Sequence, residues 1–116
     1  MTTPLSDLAH ARSGDKGSGA NIGVIARTPS AYAILCRHLT ASRVAEFFAA
    51  LGPGDVVRYE LPNLHALNFV LPAVLGEGGG ALSLRSDAQG KALGQALLRM
   101  EIELTVEELA AARARV

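Results

Sequence analysis

The chain has 116 residues, 49% of them hydrophobic, with eleven basic and eleven acidic side chains, no Trp and one Cys, which is enough for one hydrophobic core and too little for two. The balanced charge, a pI near 6.8 and an aromatic share of 4% offer neither the positive field nor the stacking platforms that nucleic acid needs, and no apolar run approaches a membrane span. A lone thiol closes no disulfide within the chain and no leader pattern opens it, so one cytoplasmic domain is expected, and a mean hydropathy of +0.25 points to a homo-oligomer that covers apolar surface.

Leu5 to Arg12 mixes polar and apolar positions and predicts a first strand; Asn21 to Arg27, with Ile22, Val24 and Ala26 on one face, predicts a second. Between them Ser13 to Gly19 reads as a hairpin connection, which makes His10 to Gly17 a polar loop. Thr28-Pro29 opens a helix carrying Tyr32, Leu35, Cys36 and Leu39. A second start at Thr40 places Val44, Phe47, Phe48 and Leu51 on one face, ends at Gly52-Pro53-Gly54, and is compatible with one bent helix.

Val56 to Leu61 predicts a third strand. From Asn63, the positions Leu64, Leu67, Leu71, Val74 and Leu75 fit one helical face kinked at Pro72, and a helix is preferred to a strand. Gly76 to Gly80 reads as a loop, Leu82 and Leu84 as strand, Ala88 to Leu97 as helix, and Leu98 to Leu104 as a last strand. Thr105-Val-Glu-Glu108 is a capping box that opens a helix from Val106 to about Arg115. Strands with two interposed helical segments predict an α+β, ferredoxin-like sandwich, a mainly antiparallel sheet with helices on one face and the other face free for a dimer.

Two segments carry candidate chemistry. In the first, Arg12 and Lys16 suit a carboxylate or phosphate and Asp15 and His10 can accept or move protons, with glycines at 14 and 17 for close backbone approach. The bland reading pairs Asp15 with Arg12 to fix the hairpin. In the second, His65 and Asn68 share a face if the segment is helical, with Asn63 beside them; alternatively Asn63 caps and His65 is a satisfied, partly buried histidine. Gly76 to Ala81 and Arg85 to Ala92 fall short of nucleotide-binding motifs, and the three His and one Cys are too scattered for zinc, so no metal or cofactor is expected. Cys36, on an apolar helix face next to His38, reads as a core thiol.

Three segments in order, H-A-R-S-G-D-K-G-x-x-A-N-I-G-V, E-L-P-N-L-H-A-L-N-F-V-L and D-A-Q-G-K-A-L-G-Q-A-L-L-R-M-E-I, make the chain from about Leu5 to Ile102 resemble the AtuA-like ferredoxin-fold domain. That domain is the C-terminal domain type of the acyclic terpene utilisation AtuA family. The resemblance implies the ferredoxin-like fold and a setting in the catabolism of acyclic terpenoid or branched acids as coenzyme A thioesters. It also implies a stand-alone small subunit that docks onto a separately encoded large AtuA-type subunit. In that setting Arg12 and Lys16 are expected to hold an acyl-CoA or carboxylate, positioned by Asn21, Asn63 and Asn68, with Asp15 and His65 as candidate catalytic groups. The alternatives are a self-sufficient CoA-thioester hydratase or lyase using Asp15 or His65 as base, and an oligomerisation module without chemistry.

Overall fold

The structure, a computed structural model, describes residues 1–74 and 92–113, with Lys16 by its backbone alone. Strand β1 (Thr2–Pro4) leads through a 3-10 turn into β2 (Ala9–Lys16), which pairs along its whole length with β3 (Gly19–Ala26). Helices α1 (Pro29–His38) and α2 (Ala41–Phe47) follow, then the hairpin of β4 (Val57–Leu61) and β5 (Ala66–Leu71). The chain is again helical over 92–97 (α3), and ends in β6 (Glu101–Glu103) and α4 (Val106–Arg113).

The main sheet has the order β2-β3-β5-β4, with every neighbouring pair antiparallel. Since β5 runs opposite to both its neighbours, β3 and β4 are parallel and joined across it by α1 and α2. That is the split β-α-β arrangement of a ferredoxin-like sandwich. A separate ribbon pairs β1 with β6.

Alternation along the strands sorts the side chains. Ile22, Val24, Leu67, Phe69 and Leu71 are fully buried and pack with Leu35 of α1, with Leu39 just beyond its end and with Leu97 of α3. The alternate positions face away from the helices; Ala66 among them is buried, and Asn21, Gly23, Asn68 and Val70 are half-buried. Here Ile25, Val57, Tyr59 and Leu61 are exposed.

Local chemistry explains the element ends. Thr28 accepts the Ala31 N–H at 3.0 Å and donates to the Ala112 carbonyl, so one hydroxyl caps α1 and ties it to α4. Arg58 of β4 donates to the carbonyls of Cys36 and Leu39 at 2.8 and 3.1 Å, satisfying the end of α1 that would otherwise lack donors. Thr105 and Glu108 exchange side-chain-to-backbone bonds at 3.0 and 3.1 Å, the expected capping box.

Several expectations are corrected. His10 to Lys16 is strand and not loop: only Gly17 and Ser18 connect β2 to β3, and Gly17 has the positive φ, 61°, that such a two-residue turn requires at its first position. The first strand breaks at the 3-10 turn Leu5–Asp7. The expected helix from Asn63 is a 3-10 turn, Pro62–Leu64, followed by β5. Leu67, Phe69 and Leu71 reach the core with period two, Leu64 is 66% exposed, and Pro72 stands just beyond the strand, where no ladder donor is needed. The two central helices are distinct, because Leu39 leaves helical geometry and Thr40 caps α2 anew. The expected strand at Leu82 and Leu84, the glycine loop from Gly76 and the start of the helix at Ala88 lie outside the described residues.

Candidate functional site

Register brings three of the expected site residues onto the uncovered sheet face. Arg12, Gly23, Asn68 and Tyr59 form one row across β2, β3, β5 and β4. The next row toward the Gly17 turn is Gly14, Asn21, Val70 and Val57, and the row on the other side is His10, Ile25, Ala66 and Leu61. Asn21 donates to the Asn68 amide oxygen across a diagonal, at 3.4 Å. Both amides line a cleft of about 340 Å³ with Val70 and Pro72.

Arg12 is exposed and engages no described residue by hydrogen bond or ion pair. Among the described residues its guanidinium is an unpaired cation, at the polar edge of the face, while Val57, Tyr59 and Leu61 make the opposite edge apolar. Between them the floor is backbone. Gly14 and Gly23 both lie on this face, neither has positive φ, and a methyl built on them would meet its nearest atom at 3.7 and 3.8 Å. Neither glycine is required by the conformation or packing of the described residues.

The remaining expected residues fall elsewhere. Asp15, two positions from Ser13, alternates onto the helix-covered side, so it is not the partner of Arg12. Lys16 closes β2 opposite Gly19, and its side chain lies outside what is described. Asn63 is exposed on the 3-10 turn.

His65 takes a left-handed conformation, φ 50°, and its ring packs 5.8 Å from that of Tyr32 on α1. Its carbonyl accepts the Ala26 N–H at 2.8 Å, whereas Asp15 stands opposite Ala20. Six residues of strand separate these levels, roughly 20 Å at 3.3–3.4 Å per residue. Asp15 and His65 do not converge on one proton-transfer site.

Tyr32, Cys36, His38 and Glu108 have partners within the fold. The buried Tyr32 hydroxyl lacks a well-formed hydrogen bond among the described residues. Burial first, then the neighbouring Cys36 thiol and the Glu60 charge, raise the Tyr32 pKa, partly offset by Arg58. Cys36 is half-buried against the core. His38 contacts the Glu108 carboxylate at 2.9 Å, and Arg37 donates to it at 2.8 Å. No cluster of potential metal ligands exists among the described residues.

The family model of the AtuA ferredoxin-like domain matches residues 3–103. The chain belongs to that family. Neither the curated proteins nor the solved structures offer a match. The matched span of this AtuA ferredoxin-like domain includes every residue of the four-stranded sheet, and so the whole uncovered face. No helix among the described residues is long and apolar enough to cross a membrane.

Gly23 and Tyr59 were not singled out from sequence. Spacing along the chain contains no hint that they flank Asn68, since that neighbourhood comes from the pairing of β3 with β5 and of β5 with β4.

Proposed function

We propose that this AtuA ferredoxin-like domain is an accessory unit whose uncovered sheet face completes a site for a carboxylate or acyl-CoA, formed against a separately encoded large AtuA-type partner. The reading rests above all on Gly23. A central strand favours β-branched or aromatic residues, and glycine there weakens it by about 0.5–1 kcal/mol. A strand glycine that its own domain does not need marks close approach by a ligand or another backbone.

The flanking groups suit a planar, negatively polarised ligand lying on that floor. The Arg12 guanidinium supplies a fork of donors for a carboxylate, and the Asn21 and Asn68 amides supply both donors and acceptors for an amide or thioester chain. The apolar edge at Val57, Tyr59 and Leu61 suits the packing of the large partner, and the same edge would serve a homo-oligomer.

The test is to co-express the chain with its genomic neighbours, and then to measure binding of short acyl-CoA esters and free acids by calorimetry, with the chain alone and in any complex. A complex that binds such a ligand, and loses at least tenfold in affinity in Arg12→Ala and Asn68→Ala, is the expected outcome. A chain that captures no neighbour and binds none of these ligands sinks the reading.

A further inference from the structure

A second cleft, of about 900 Å³, lies among the ends of β2 and β3, the start of α1 and the end of α4. Three groups able to carry positive charge line it, His10, Arg27 and Arg113, with Asp7 the one acid among its lining residues. Asp7 is already engaged, accepting from the Thr3 hydroxyl at 3.0 Å and lying 3.5 Å from Arg113.

Arg27 is held in one orientation. Its Nε and Nη2 both donate to the Ser6 carbonyl, each at 3.1 Å, and its Nη1 lies 2.9 Å from Nε2 of His10. A guanidinium can only donate. His10 therefore accepts at Nε2 and carries its proton on Nδ1. Of the five guanidinium N–H groups, two remain without an acceptor among the described residues, and no carboxylate there is paired with Arg27.

We propose that this cleft binds the phosphoryl group of a phosphorylated small molecule. A phosphoryl group brings nearly two negative charges and three acceptor oxygens, matching two guanidinium groups and an imidazole better than the two oxygens of a carboxylate. It meets the free N–H groups of Arg27 and replaces His10 Nε2 as acceptor for Nη1. His10, released from that contact, can turn its Nδ1–H toward the phosphoryl oxygens. The volume beyond the cationic corner accommodates the rest of an ester. This inference stands independently of the acyl site proposed for the sheet face, which depends on Arg12.

The experiment is an NMR titration of the isotope-labelled full chain at low salt, where surface electrostatics are least screened, with inorganic phosphate, pyrophosphate, adenosine monophosphate and, for comparison, acetate. The expected result is saturable shifts of the Arg27 Nε and His10 ring signals with the phosphoryl compounds, and at least tenfold weaker binding in Arg27→Gln and His10→Gln, with Arg99→Gln unchanged. Should Arg27→Gln fail to fold, Arg113→Gln, whose side chain is 62% exposed, keeps the test open and is expected to weaken binding in a folded chain. Tighter binding of the monophosphate ester than of inorganic phosphate identifies an ester as the natural source, and equal binding identifies the free ion. No saturable shift with any phosphoryl compound, acetate binding as tightly as phosphate, or equal affinity in all folded variants overturns the proposal.

Discussion

Gly19 and Gly23 lie four residues apart on β3 and answer to different constraints. A methyl on Gly19 would stand 2.9 Å from the carbonyl oxygens of Leu71 and Pro72, backbone atoms that cannot swing aside. Gly19→Ala is expected to cost about 1–3 kcal/mol in urea unfolding, the range for overpacked sites. Gly23→Ala meets only the Arg12 carbonyl, at 3.8 Å, and is expected to gain roughly 0.5–1 kcal/mol by removing the glycine entropy while weakening any ligand on the sheet face. Equal destabilisation by both substitutions would show that Gly23 serves the fold.

Glu108 contributes to the pH response at the same scale. The His38 hydrogen bond, then the Thr105 backbone N–H, with smaller contributions from the charges of His38 and Arg37, hold its carboxyl below the ordinary 4.5, against an opposing effect of burial. A folded-state pKa depressed in this way contributes stability above the unfolded pKa, and that contribution is lost as pH falls through the folded value. Melting temperature should therefore drop below about pH 4.5, and Glu108→Gln should flatten this acid limb. An unchanged limb in that variant would assign it to other carboxylates.

At the level of elements, legibility followed how local the determining physics was. Thr28-Pro29, Thr40 and Thr105-x-x-Glu108 each satisfy backbone groups within their own first turn, so α1, α2 and α4 begin where their sequences say. Thr105→Ala is expected to cost about 1 kcal/mol, read by thermal melting, with α4 losing amide protection first. Strand β2 was obscured because its face away from the helices carries His10, Arg12 and Gly14, giving a polar, glycine-containing stretch whose pairing with β3 overrides weak local propensity. Strand β5 was misread because Leu67 and Leu71 satisfy period two and period four alike. The neighbour Phe69, fully buried, is what separates the two periods. The chemistry-bearing residue types were visible in both segments, but which of them meet depends on register between strands far apart in sequence, and this set Asn68 in Arg12's row while leaving Asp15 and His65 at different levels.

Across the whole molecule, one sheet face is filled by helices and the other combines a cationic edge, a backbone floor and an apolar edge. The high mean hydropathy is therefore expressed partly as surface, at Ile25, Val57, Tyr59, Leu61 and Leu64, where a partner can cover it. The same division explains why the ferredoxin-like architecture was accessible from the pattern of elements while the arrangement of Arg12, Asn21 and Asn68 on one face was not. One face repeats a core rule, and the other does not.

The β1–β6 ribbon bears on how the domain reaches this state. Its register sets Thr2 opposite Glu103, so it closes a loop of nearly the whole described chain, and such long-range closure follows rather than precedes local hairpins and helices. Ile102, fully buried in the ribbon, is thus expected to act late. In stopped-flow measurements Ile102→Ala should leave the refolding rate almost untouched and accelerate unfolding, which would make this ribbon the latch that governs how long the native fold persists; slowed refolding would instead place it in the nucleus.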